Sequence, residues 1–318
     1  MKKFIEAAIK SVAITILLFP MDTWALTNLD KIDATATRHQ WQLDSLAGAT
    51  ANAQVEGDDA SYATITAPLR YDNDLQISRK TFIVSGTLEA TKLAGRKSEI
   101  ARQAMKQMRE LKRDIEQAIL GNQGACAGSQ TVGRQSAGME SWIASTDHGG
   151  NGFKATTTNA GSTIGYSSGT VTTPTDGGSF GGLPQASLNF ALQAAWEDGG
   201  DARVILLNAT HKGTLDGFTS QATRFVDVDK AGQVPILTAA NVYVSDFGKH
   251  TVILSRYLRS NPSVALCIDP DYWATAWLRK PAMETLAKTG DGEKRMIIGE
   301  WSLVARNPNA SAKVFALS

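Results

Sequence analysis

The chain has 318 residues, 42% of them hydrophobic, with 32 Lys and Arg against 31 Asp and Glu. Such a length and composition provide a substantial core in one large domain or two, and the formal net charge of +1 excludes a global pull towards nucleic acid or acidic membranes. Two cysteines, Cys126 in a Gly-rich loop and Cys267 in the apolar run SVALCI, are a poor basis for a disulfide framework or a metal site and fit a reduced compartment better than a secreted one.

The N-terminus, MKKFIEAAIKSVAITILLFPMDTWALTN, has the outline of a signal peptide: Lys2 and Lys3 precede the apolar run Val12 to Phe19, and Thr23, Trp24 and Ala25 imitate a cleavage site. On that pattern alone export is favoured. The apolar run is too short to cross a bilayer, so no membrane partner is expected.

Next in order, YATITAPLRYDNDLQISRKTFIVSG reads as two strands around the turn-rich YDND. Polar residues dominate both faces, and an isolated two-stranded ribbon is marginal in water. This hairpin therefore leans on something else.

The strongest periodic signal follows. Ile100, Ala104, Met108, Leu111, Ile115 and Ile119 recur at spacings of three and four, with no Gly or Pro from Arg96 to Leu120, so one amphipathic helix with a single buried stripe is predicted over 96–120. Lys106 with Glu110 and Lys112 with Glu116 stand four apart, as exposed ion pairs would.

Residues 149–182 contain 22 Gly, Ser or Thr among 34 positions, a composition that predicts a mobile surface loop dividing the chain. Beyond it, LPQASLNFALQAAWEDGG is a helix opened by Pro184 and closed at Gly199. Strand-like runs follow in RVILLN, NVYVSD, TVILSRYL, SVALCI and RMIIGEWSLVARN. Helices and strands do not alternate regularly, which gives an α+β fold.

Motifs for chemistry are weak. GGSFG, with Ser179 at its centre, matches the G-x-S-x-G elbow of hydrolases but sits in the Gly-rich loop without the strand and helix that make the elbow work. AKTGDGEK lacks the spacing of a phosphate loop and reads as a solvated turn. Asp227 and Asp229 begin a calcium-loop pattern that fails at Ala231 and Thr238. His39, His148, His211 and His250 are scattered. Trp41, Trp142, Trp196, Trp273, Trp277 and Trp301 lack an interleaved basic stripe and are expected in the core rather than as stacking platforms. No catalytic, cofactor-binding or metal-ligating residue is assigned.

The order of the long blocks carries more. HQWQLDSLAGATANAQVEGDDA, then RKTFIVSGTLEATKLAGRKSEIARQAMKQMRELKRDIEQAILGNQ, SAGMESWI, VYVSDFGKHTVILSRYL, and the stretch from CIDPDYWATAWLRKPAMETLAKTG to NPNASAKV resemble the major capsid proteins of tailed bacteriophages with the Hong Kong 97-like fold. FPMDTWAL resembles a P-x-D-T-P-F-like segment near the start of these proteins, with Trp24 in place of Pro. The resemblance turns the N-terminal reading from a leader to an arm.

It implies an N-terminal arm over 1–60, an E-loop hairpin over 61–86, and a peripheral domain over 87–148 whose spine helix is 96–120. The Gly-rich loop over 149–182, an axial domain over 183–270 and a return to the peripheral domain over 271–318 complete the chain. Implied partners are copies of the chain itself in hexamers and pentamers, with portal, scaffolding or decoration proteins. The implied cargo is double-stranded DNA held without sequence recognition in a virion head assembled in the host cytoplasm, with no cofactor. The segment from Asn52 to Asp74 carries five acidic residues against Arg70, and that from Arg96 to Asp114 seven basic against three acidic. Subunit contacts are therefore expected at Arg70, Asp72, Asp74, Lys80, Lys112 and Arg113. The alternative from a different class is an exported binding or hydrolytic protein with a cleaved leader.

Overall fold

A computed structural model describes residues 23–318, apart from 45, 55, 58, 60–61, 63, 66, 92–97, 146–149, 157–164, 168–169, 179, 219–241 and 261. Ser179, His148 and the Asp227 to Thr238 pattern lie outside the described residues.

Strands β1 (Asp30–Asp33), β2 (Arg38–Leu43), β3 (Leu69–Asp74) and β4 (Gln76–Ser85) precede the long helix, Glu99–Leu120. Short strands β5 (Gly152–Lys154), β6 (Tyr166–Ser167) and β7 (Thr170–Val171) lie in the Gly-rich segment. The helix Gln185–Glu197, strand β8 (Val204–Leu207), the helix Ala209–Asp216, β9 (Val242–Ser245), β10 (Gly248–Leu254) and β11 (Ser263–Ile268) follow. The chain closes with β12 (Trp273–Thr285), β13 (Gly292–Ala305) and β14 (Ala312–Leu317).

The long helix begins where its capping chemistry dictates: the Ser98 hydroxyl accepts the Ala101 N–H at 3.2 Å. Only the C-terminal part of the predicted stripe is fully covered, with Leu111, Ile115 and Ile119 buried and Ile100, Ala104 and Met108 half-buried. Lys106 reaches Glu110 at 3.8 Å as expected. Glu116 does not serve Lys112: it is buried and accepts backbone N–H groups from residues 25 and 26.

Two sheets organise the rest. One has the order β1-β12-β13-β4, the other β5-β14-β11-β8-β10-β9. The six-stranded sheet is a wall between two cores. Along β8 and β11 the side chains alternate, Val204, Leu206, Val264, Leu266 and Ile268 facing the core of the long helix and Ile205, Leu207, Ala265 and Cys267 facing the core of the Gln185–Glu197 helix. Covered on both faces, these strands read as unbroken apolar runs. In β14 the alternation breaks at Ala316, whose φ of 60° is in the left-handed region. A register irregularity opposite Ser263–Ala265 marks a bulge there, which returns Leu317 to the second core.

Strand β12 escapes sequence reading because Pro281 and the charged Arg279 and Lys280 interrupt it. The ladder to β13 shifts register between Trp277 and Ala282, and the proline occupies the irregular stretch where its missing N–H costs nothing. The AKTGDGEK turn joins β12 to β13 and is largely exposed, as expected.

The described parts of the Gly-rich segment are not the loose loop its composition suggests. β5 pairs in parallel with β14, Val171 is buried in the first core, and a Cβ on Gly165 would stand 2.2 Å from the Ser141 carbonyl oxygen. Glycine here permits close backbone approach instead of mobility.

The expected 61–86 hairpin is also rearranged. Asp72–Asp74 is strand, not turn, and β3 and β4 do not pair with each other: β3 pairs with β2 and β4 with β13. The buried Asn73 explains the course of the chain. Its amide donates to the Leu303 carbonyl at 2.7 Å and the Ser136 hydroxyl at 3.1 Å, and its carbonyl accepts the Ala137 N–H at 2.9 Å. Asn73→Ala is expected to lower unfolding stability by about 2–3 kcal/mol, because three buried partners lose their bonds at once; urea denaturation of the unassembled subunit measures it.

Candidate assembly interface

The β2–β3 ladder spans Arg38–Leu43 against Leu69–Asp74, a ribbon of roughly 20 Å at 3.4 Å per residue. Its base is fixed firmly. Trp41 donates its indole N–H to the Ala305 carbonyl at 2.9 Å and lies 5.5 Å from Trp142 between ring centroids. Tyr71 stacks on Tyr166 at 5.2 Å, and Tyr166 on Trp142 at 5.3 Å. Such aromatic contacts add to the area they bury.

Between Leu43 and Leu69 every described residue is exposed. Leu46, Tyr62 and Ile65 are 99%, 96% and 93% exposed. Over residues 44–68 the sequence holds Asp44, Glu56, Asp58 and Asp59 and no Lys or Arg. Among the described residues of this tip, exposed apolar side chains thus stand beside the exposed Asp44, Glu56 and Asp59.

On the long helix, Arg113 lies over the Tyr257 ring at 5.9 Å. A cleft of about 830 Å³ opens between the helix and the turn after β10, lined by Arg113, Asp114, Gln117, Arg256, Tyr257 and Arg259 among others.

The expected contact residues are dispersed by this geometry. Arg70 is exposed on the ribbon. Asp74 is buried and held by Arg38 at 3.1 Å, with Asp72 at 3.7 Å from the same guanidinium. Lys80 is paired with Asp114 of its own chain at 2.6 Å. Lys112 and Arg113 are half-buried on the helix. On the ribbon, the exposed acidic residues among those described, Asp44, Glu56 and Asp59, lie upstream of Asp72 and Asp74. Hydrophobic burial alone could not have shown this, since pairing of Asp74 with Arg38 spans 36 residues.

The buried charge that sequence reading missed is a cluster around Arg259. Glu140, in the short helix Met139–Trp142, is fully buried and bonded to Arg259; Arg259 also donates to Asp176 at 2.5 Å. The Lys313 ammonium donates to the Glu140 carbonyl at 2.7 Å. Burial pushes the Glu140 carboxyl up despite the neighbouring cations, and pushes Lys313 down to about 8 against the pull of the carboxylates.

Of the tryptophans, Trp142, Trp273, Trp277 and Trp301 are buried, whereas Trp196 is 58% exposed. His250 is a buried structural residue, its ring between the Ser245 hydroxyl and the Ala202 carbonyl at 2.7 Å each. Cys267 is buried, its thiol pushed up to about 12 by desolvation. Among the described residues, no three His, Cys, Asp or Glu side chains gather as metal ligands, and no helix is long and apolar enough to cross a membrane.

A protein-family model described as SU10 major capsid protein matches residues 10–318. The major capsid protein of Escherichia phage Phieco32 is 27% identical over 329 residues, covering 94% of this chain and 91% of that one. A solved chain of Mycobacterium phage Bobi superposes with a TM-score of 0.58 at 11% identity, over 96% of this chain and 93% of its own. The capsid of a native GTA particle gives 0.60 at 12% identity, over 95% and 92%. The solved chains share the fold, the Hong Kong 97-like capsid architecture of mixed helices and sheets, and with a family match across nearly its full length this chain belongs to the SU10 major capsid protein family.

Proposed function

We propose that copies of this subunit close into the hexamers and pentamers of an icosahedral head shell around double-stranded DNA, each ribbon tip lying on a neighbour. The observation that supports this best is the ribbon itself: a stem anchored by Trp41 and Asn73, ending in a tip whose Leu46, Tyr62 and Ile65 have almost no cover within their own chain. A structure that spends rigid packing on holding an uncovered apolar tip is built for association.

In this reading the E-loop is the ribbon 38–74 and not 61–86. Residues before it form the arm, the long helix is the spine of the peripheral domain, and the second core, on the far side of the six-stranded sheet, belongs to the axial domain. The described residues of 149–182 are part of the packed body. Portal, scaffolding or decoration proteins would be further partners, and the bacterial cytoplasm the place of assembly. Near-neutral net charge suits a shell that packages DNA without condensing on it during assembly.

The tip's acidic residues would meet the basic side of a neighbour's spine helix. Each exposed pair is weak, about 0–1 kcal/mol, but the contact repeats in every subunit of a closed shell. Changing Asp44, Glu56, Asp58 and Asp59 to Lys should leave the subunit folded and reduce shell yield in low salt. Changing Arg109 and Lys112 to Glu in the same chain should restore part of it. Sedimentation and electron microscopy across a salt series measure the yield; equal yields for parent and reversed chains at low salt would refute the charge pairing.

A further inference from the structure

The four-stranded sheet, β1-β12-β13-β4, has one long open edge. β4 has ten residues and, among the described residues, pairs only with β13. The strands at the other ends of the two large sheets, β1, β5 and β9, have four, three and four residues. Shortness protects an edge from pairing with another chain, and β4 lacks that protection.

Two backbone bonds show which groups of β4 face outward. The Gly86 N–H donates to the Asp291 carbonyl at 3.1 Å, one step beyond the Ser85–Gly292 pair of a ladder that runs from Gln76 without a register shift. Hydrogen-bonded pairs alternate along an antiparallel ladder, so Lys80, Phe82 and Val84 turn their N–H and C=O groups to β13. The Leu286 N–H, donating to the Lys294 carbonyl at 3.0 Å, gives the same phase from the β12 side. The N–H and C=O groups of Ile77, Arg79, Thr81 and Ile83 therefore point away from the sheet. Their side chains are exposed as well, Ile77 by 45% and Ile83 by 62%. The spine helix lies on the other face of β4, where Lys80 meets Asp114 at 2.6 Å and Phe82 joins the first core.

We infer that the β4 edge receives the ribbon tip of a second copy, the stretch around Tyr62 and Ile65 of the neighbour adding as a fifth strand beside Ile77–Ile83. This rests on the reading that the tip lies on a neighbour, and names the surface that takes it.

The occupant follows from the chemistry of both sides. Tyr62, Thr64 and Ile65 are residue types that favour strands, yet they are exposed and belong to no strand of their own chain. Strand addition would satisfy the outward main-chain groups of β4 and bring Ile77 and Ile83 against Tyr62 and Ile65. Charge agrees with this placement. Asp44, Glu56 and Asp59 are exposed on the tip, and Arg79 on the edge and Arg109 on the spine helix are exposed cations.

Amide hydrogen exchange tests the inference by comparing unassembled parent subunits with shells of the same chain. In the subunit, the Ile77, Arg79, Thr81 and Ile83 amides should exchange freely while those of Ser78, Lys80 and Phe82 are protected. In shells the first set and the amides of Tyr62, Thr64 and Ile65 should slow together, by about a hundredfold or more. β4 edge amides that stay open in shells overturn strand addition; if the tip is protected in those shells, the reading that it lies on a neighbour stands. Protection of the β4 edge without the tip also overturns the inference and assigns the edge to another partner. Parent subunits that never assemble overturn both readings.

A variant tests the main-chain bond itself. Thr81→Pro removes an N–H that its own sheet does not use, so the unfolding midpoint of the subunit should stay parental. Losing one main-chain bond at each contact should raise the subunit concentration needed for shells about tenfold, whereas Thr81→Val should match the parent. An unchanged threshold in folded Thr81→Pro overturns strand addition. Should Thr81→Pro not fold, the exchange measurement on the parent decides alone.

Discussion

A subunit in which residues 45–67 are replaced by a tight two-residue turn should fold like its parent and form no shells. The two halves of this result have separate causes. Folding survives because the β2–β3 ladder is anchored at its base by Trp41, Asn73 and the aromatic cluster, none of which lies in the tip. Loop-closure entropy changes slowly with length, so the net effect on stability should stay within about 1 kcal/mol. An Asn-Gly turn suits the twist of the two strands. Assembly is lost because the deleted segment carries Leu46, Tyr62 and Ile65, the most exposed large apolar side chains of the ribbon. Thermal unfolding reports the first half and negative-stain microscopy the second. Shells at parental yield would remove the ribbon from any account of association.

Arg259→Leu should cost about 3–5 kcal/mol, because removing one partner strands charge in a low-dielectric interior. Arg259 is the cation between Glu140 and Asp176, and both carboxylates are buried. Against a typical total of about 5–15 kcal/mol, that loss leaves a subunit near its unfolding threshold. The damage should be smaller at pH 5 than at pH 8, since the Glu140 carboxyl is already pushed up by burial and an unpaired acid takes its proton more readily. Lys280→Ala is the contrast. Its partner Asp33 and the lysine itself are 82% and 73% exposed, and losing such a surface pair should change stability by no more than about 0.5 kcal/mol. Denaturant titrations of both variants at the two pH values compare the two kinds of salt bridge directly. Equal losses would show that burial does not set the value of the pair here.

Much of the fold was legible because it rests on periodicity. The spine helix, the Gln185–Glu197 helix and the apolar strands β8 and β11 each carry a pattern that local geometry imposes. The Gln185–Glu197 helix even ends as read, with Gly199 at φ 82° accepting the left-handed turn. Where composition was read in place of pairing, the result differed. Glycine and threonine in 149–182 suggested mobility, yet Val171 and Asp176 are buried, and YDND suggested a turn although Asn73 is the most deeply bonded residue of its strand. Glu116 and Lys112 have the spacing of a surface pair, and only the arrival of residues 25 and 26 makes Glu116 interior. Polar residues with distant partners give no local signal. That is why the charge imbalance from Asn52 to Asp74 is legible in the sequence while the bond between Asp74 and Arg38 is not.

The stem of the ribbon also bears on timing. Its strands are made early, at residues 38–74, but the groups that hold them in place, the carbonyls of Leu303 and Ala305, lie 230 and 264 positions further along the chain. A ribosome must therefore finish nearly the whole polypeptide before the ribbon can lock. A two-stranded ribbon is marginal alone, and contacts of such separation form late because loop closure must come first. The nascent chain consequently has no rigid arm to offer its neighbours on a crowded polysome. On the proposed role of the ribbon, competence to associate arrives with the last strands, so that only a completed subunit is armed.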